Sequence, residues 1–138
     1  MDPKKITYLE WSDDFSSGIH AVDDDHRKLV ALLNGLLQSI VDREDFGSIR
    51  EKSQHLIDIS TEDFLEEEKI LRQMDYPGLV HHSCEHEEIK NALSNILGEA
   101  GNSTLYVLIE AALDIREQLV NHFLDEDAEI RHFIKSRS

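Results

Sequence analysis

Four of the eight histidines and three carboxylates of this chain fall where they could share metal ions. His82 and His86 are four residues apart, as are Asp63 and Glu67. On an α-helix that spacing puts two side chains about 40° apart in azimuth and about 6 Å apart along the axis. Each pair can therefore present its donor atoms to one ion. His26 and His122 stand alone, each on an apolar stripe of its own. Imidazole and carboxylate together suit iron, manganese or zinc. An ionised carboxylate left unpaired in an apolar interior is strongly disfavoured. A shared cation removes that cost, and two cations bridged by carboxylates would use all of these groups. The competing reading is a plain bundle with polar contacts in its core.

Helices must carry these side chains. Residues 1–18 read as an irregular arm, with Trp11, Phe15 and Gly18 as packing and turn points. Asp23 is expected to cap a first helix, whose stripe is Val22, His26, Leu29, Leu33, Leu36 and Ile40. Asp42 to Gly47 reads as a loop. A second helix is expected from Ser48 to Met74, with Ile49, Leu56, Ser60, Asp63, Phe64, Glu67, Ile70, Leu71 and Met74 on one face. Tyr76-Pro77-Gly78 ends it. A third helix carries Leu79, His82, His86, Ile89, Leu93 and Ile96. Gly101-Asn102 signals a turn, and a fourth helix carries Leu105, Leu108, Ala112, Ile115, Leu119 and His122. No strand-like alternation of useful length occurs. The spacing predicts an all-α, antiparallel up-down-up-down four-helix bundle forming one domain over residues 1–138.

Asp127 follows His122 by five residues, about 140° around a straight α-helix. Either the helix is wound differently there, as in a π-bulge, or Asp127 faces solvent. His20, His55, His81 and His132 fit no common site. His81 is about 100° from His82 and is expected to face outward. Cys84 should point away from the core. The run Glu66-Glu67-Glu68 reads as a solvated face with only Glu67 turned inward.

Composition narrows the function. The 138 residues are 40% hydrophobic, with two prolines and six glycines, which suits one globular domain of long helices. The formal charge of −15 opposes binding to nucleic acid or anionic membranes. One cysteine excludes an intramolecular disulfide. The chain start leads into no apolar run, so a cytoplasmic location is expected.

These residues resemble the motifs of the bacteriohemerythrin family, from Trp11 to about Phe133. Ser17-Gly18-Ile19, Val22-Asp23 and His26 look like its opening motif. Leu56-Ile57-Asp58 through Phe64 to Glu67-Glu68 resembles the second, and Tyr76-Pro77 with His82 and His86 the third. Leu119-Val120-Asn121-His122 with Asp127 resembles the fourth. The resemblance implies two non-haem iron ions joined by an oxo or hydroxo group. His82, His86 and His122 would hold one; His26 and the residue at position 63 would hold the other. Glu67 and Asp127 would bridge them. It also implies binding of O2 or NO for storage, delivery or sensing.

One departure bears on that function. The family has His at position 63, and this chain has Asp63. Carboxylate is a hard, anionic donor, so Asp63 is expected to favour the ferric state and autoxidation. It also moves the donor set toward di-iron carboxylate enzymes, which makes an oxidase or peroxidase-like activity on O2 or peroxide the alternative. Asp25 and Gln118 stand where the family usually has Gln and Trp. Gln118 is expected to loosen the apolar shell around the site.

Overall fold

The computed structural model describes residues 8–99 and 104–137. Four long helices form the body: α1 His20–Val41, α2 Phe46–Gln73, α3 Leu79–Glu99 and α4 Leu105–Asn121. A π-helical segment, His122–Asp127, continues α4 into α5, Ala128–Arg137. The expected turn at Gly101-Asn102 lies outside the described residues. Each helix packs on its neighbour in the chain, and α1 closes the ring against α4. The architecture is the four-helix bundle that the apolar stripes predict. Among the described residues, no helix is long and apolar enough to cross a membrane.

The stripes meet in one core. Leu29, Leu33, Leu36 and Ile40 of α1 pack with Ile49, Leu56 and Phe64 of α2, Ile89, Leu93 and Ile96 of α3, and Leu108, Ala112 and Ile115 of α4. Burying each large aliphatic side chain contributes roughly 1.5–3 kcal/mol. The apolar layers fill the half of the bundle nearest the α1–α2 turn. The polar stripe positions His26, Glu67, His82, His86 and His122 occupy the other half, and they too are buried.

Three boundaries differ from the sequence reading. α1 begins at His20, with Ile19 at its cap position. Asp23 is therefore not the cap residue: it sits inside the helix and reaches back to the arm. Its carboxylate accepts hydrogen bonds from the Ser17 amide and hydroxyl, both at 2.8 Å, and from the Ser16 hydroxyl at 2.5 Å. The loop expected to extend to Gly47 stops at Asp45, which accepts from the Ser48 amide at 2.9 Å and starts α2 at Phe46. α2 ends at Gln73, one residue before the expected Met74.

The arm is held by aromatic and basic contacts. Phe15 packs between Trp11 and Phe123, with ring centroids 5.7 and 5.4 Å away. Arg131 of α5 donates to the Ser16 carbonyl at 3.1 Å. Gly18 turns the arm into α1 with φ at +84°. A Cβ there would stand 3.4 Å from Ile134 Cδ1 and 3.5 Å from the Arg131 Cα.

Gly18→Ala is therefore expected to cost about 1–2 kcal/mol from the left-handed backbone. Gly35→Ala, in exposed helix with nothing within 4 Å of the added Cβ, should instead gain roughly 0.5–1 kcal/mol. Chemical denaturation of the two variants measures both, and opposite signs are the expected result.

Candidate metal centre

Four helices each deliver an imidazole or a carboxylate to one buried space. α3 contributes His82 and His86, one turn apart. α2 contributes Glu67, α1 contributes His26, and the π-helical segment that continues α4 contributes His122 and Asp127. All six are 2% exposed or less.

Asp127 reaches the site because the chain winds as a π-helix from His122 to Asp127. Its hydrogen bonds run to the fifth residue rather than the fourth, so residues five apart come onto one face. Of the two possibilities left open by the spacing, the π-turn is the one realised. The same turn brings His122, Phe123, Asp127 and Ile130 all into buried positions.

The donor atoms form two groups sharing one carboxylate. Glu67, His82, His86 and His122 make the first; His26, Glu67 and Asp127 make the second. Within each, one donor atom per residue lies within 4.8 Å of all the others. Glu67 Oε1 is 2.6 Å from His82 Nε2, and Oε2 is 3.0 Å from His26 Nε2 and 3.5 Å from His86 Nε2. Asp127 Oδ2 is 3.0 Å from His26 Nδ1, while Oδ1 is 3.5 Å from His122 Nε2 and 3.7 Å from His82 Nε2. Asp127 thus faces His26 with one oxygen and His82 and His122 with the other, whereas Glu67 turns Oε1 to His82 and shares Oε2 between His26 and His86.

These donors suit a cation. His86 Nε2, His122 Nε2 and both oxygens of Asp127 are buried with no hydrogen-bond partner among the described residues. Buried polar atoms are ordinarily paired, and those here converge. Residues 17–132 match the family model of the hemerythrin HHE cation binding domain.

The chain belongs to the hemerythrin family. Bacteriohemerythrins are among its relatives. That of Stenotrophomonas maltophilia is 30% identical over 84 residues, covering 59% of this chain and 53% of the relative. Those of Pseudomonas paraeruginosa and Pseudomonas aeruginosa are each 28% identical over 82 residues, with the same coverage. The chain spans about half the length of the curated relatives it matches.

The hemerythrin domain surrounds its inner donors with an outer layer. The tripod imidazoles turn Nε2 inward and Nδ1 outward. His86 Nδ1 meets Glu68 at 2.8 Å, and His122 Nδ1 meets Glu85 at 3.3 Å. His82 Nδ1 faces Glu126 at 3.7 Å, beyond hydrogen-bond reach. Carboxylates so placed fix ring orientation and raise donor basicity. The sequence reading missed all three. It assigned Glu68 to a solvated face, whereas Glu68 turns to His86 and accepts from the Ser83 hydroxyl at 2.8 Å. Its adjacency to Glu67 was the only signal available. Phe64 stacks on His86 at 3.9 Å and Phe123 on His26 at 5.0 Å, which covers one face of each ring.

Asp63 is placed differently. It is half-buried and belongs to neither donor group, though its Oδ2 is buried and unpartnered among the described residues. Burial and the neighbouring Asp25 push its carboxyl up to about 6. Gln118 is exposed and lines a surface groove with Glu85 and Asn121 rather than the inner space. His20, His55 and His132 are exposed, as is Cys84.

The electrostatics of the protein groups follow from this geometry. Burial opposes charge on His26, but Asp127 and Glu67 outweigh it and hold its pKa well above the ordinary value. Burial would raise Glu67; the charge of His26 and hydrogen bonds from His26 and His82 hold it well below the carboxylate range. Burial pushes His86 down to about 2, helped by charge on His122, His82 and His26. His86 is thus a neutral donor, the form that binds metal.

Two outcomes are expected. His86→Ala should reduce bound metal and lower Tm, because metal bound to the native state adds to its stability. Glu68→Gln should retain metal with affinity weakened about 10–100-fold. Metal analysis and thermal unfolding check both. In metal-free protein, the raised Asp63 pKa disfavours folding progressively as pH rises from 3.8 to about 6. Asp63→Asn should therefore gain about 1 kcal/mol above that window relative to its effect below it, solvent screening of the half-exposed carboxylate included. Urea unfolding at two pH values measures the difference.

Proposed function

We propose that this chain is a non-haem di-iron domain that binds O2, or NO as a related ligand, for storage, delivery or sensing. The observation that carries this reading is the position of Asp127, with one oxygen toward His26 and the other toward His82 and His122. In this reading His82, His86 and His122 hold one iron, and His26 and Asp63 hold the other. Glu67 and Asp127, whose oxygens reach both donor groups, would serve both ions. Bound iron supplies the electron chemistry that O2 binding requires and that these side chains lack. The donor set would also take manganese or zinc. The relatives' name, bacteriohemerythrin, supports the oxygen-binding reading.

The chain's own residues set the conditions. Glu67 and Asp127 bring two negative charges to the centre and so favour cations there. Phe64 and Phe123 cover His86 and His26 and exclude water from two sides. Glu68 and Glu85 hold their imidazoles in one orientation.

Asp63 makes the centre asymmetric. Lying outside the convergent groups, it would reach its ion directly or through a water, or leave that metal weakly held. A hard anionic donor stabilises the ferric state, which makes reversible oxygen binding shorter-lived than with imidazole. The same carboxylate supports a second reading, a di-iron oxidase or peroxidase-like activity. Steady consumption of O2 or peroxide with a reductant, faster than autoxidation, would select it.

Reduced, iron-loaded protein is expected to give an O2-dependent absorption change; its absence would defeat the oxygen-binding reading. Asp63→His should slow autoxidation several-fold in the same assay. An unchanged rate would remove Asp63 from the ligand set.

A further inference from the structure

Outside the buried centre stands a third group of donors. His81 and Glu85 lie one turn apart on α3, and Glu126 joins them from the π-segment. His81 Nε2 is 2.8 Å from Glu126 Oε1 and 3.2 Å from Glu85 Oε2. The His81 side chain is 70% exposed, and those of Glu85 and Glu126 are 28% and 12% exposed. The group therefore spans from solvent to the back of the inner imidazoles.

We propose that His81, Glu85 and Glu126 form a surface site for a divalent first-row metal ion, through which metal enters the buried centre. Three observations carry this. The first is distance. Two donors about 2.1 Å from a cation and at right angles around it stand roughly 3.0 Å apart. The two His81 distances straddle that value. One imidazole and two carboxylates are a borderline-to-hard set, suited to ferrous iron, manganese or zinc with water in the remaining positions.

The second is the inner end of the group. His82 Nδ1 is fully buried, has no hydrogen-bond partner among the described residues, and faces Glu126 Oε2 at 3.7 Å. Glu85 Oε1 likewise meets His122 Nδ1 at 3.3 Å. Both carboxylates therefore have one oxygen on the surface histidine and the other toward a tripod imidazole. An ion held by the outer oxygens sits directly behind two donors of the inner space.

The third is access. Glu85 also lines a surface groove of about 250 Å³ with Glu88 and Asp125. On a chain of formal charge −15, such a groove concentrates cations. The entry role rests on reading the buried groups as a metal centre; binding at the surface does not.

The test uses the full chain loaded with iron, oxidised and freed of excess metal, then titrated with Mn2+. Free Mn2+ is read by electron paramagnetic resonance. One further Mn2+ per chain is expected, with affinity weakened about tenfold or more in His81→Ala. His81 touches neither donor group of the centre, so the variant keeps its fold and final iron content. No uptake, or uptake that His81→Ala leaves unchanged, overturns the surface site. For the entry role, metal-free protein is mixed with ferrous iron. His81→Ala should load several-fold more slowly to the same final content, and equal rates overturn it. Wild-type iron below one per chain would instead defeat the reading of the buried centre, and the Mn2+ titration would then judge the surface site alone.

Discussion

Everything in this bundle is arranged around two carboxylates, Glu67 and Asp127, buried in an interior that is otherwise apolar. Both are 2% exposed or less, and burying such charge is tolerated only with positive charge beside it. The protein's own groups meet the requirement through His26, which lies 3.0 Å from each carboxylate and whose pKa they hold well above its ordinary value. The tripod on the other side contributes differently. His86 is driven neutral by burial and offers a lone pair in place of a charge. The centre thus sets His26 and His82 against Glu67 and leaves the Nε2 atoms of His86 and His122 without a hydrogen-bond partner among the described residues.

The outer layer follows from the inner one. An imidazole that turns Nε2 inward must turn Nδ1 outward, where it too needs a partner. Glu68 and Glu85 answer that need, and Glu126 lies just beyond reach of His82. Because Glu85 and Glu126 are near the bundle surface, their second oxygens are free to meet His81. Burial of the first charges therefore propagates through imidazoles to a solvent-facing cluster about two residues deep. The formal charge of the chain is, in part, a consequence of supplying so many carboxylates to one end of a small bundle.

Asp63 tests how far this logic extends. It lies on the helix that carries Glu67, one turn earlier, yet it is only half-buried, with Oδ2 withdrawn from water. A carboxylate is shorter than an imidazole and reaches less far from the same backbone position, and Asp63 joins neither donor group. With Asp25 nearby raising its pKa further, Asp63 adds to the repulsion that a cation at this end would relieve.

The four helices, their stripes and the inward placement of His26, Glu67, His82, His86 and His122 were legible in the sequence, because each depends on a local period of 3.6 residues that any helix must obey. The arm's packing points at Trp11, Phe15 and Gly18 were legible for similar reasons of residue type. Tertiary structure decided the rest. Asp127 turns inward only because the chain adopts a π-turn, which is stable where the burial it permits outweighs its poorer hydrogen bonding, and no local pattern encodes that balance. Asp23 serves the arm instead of capping α1, because the arm folds back and presents Ser16 and Ser17 as donors. Glu68, Glu85 and Glu126 acquire their roles across helix interfaces. Which ring nitrogen a carboxylate meets depends on the distance between two axes, a quantity that spacing along one chain does not contain.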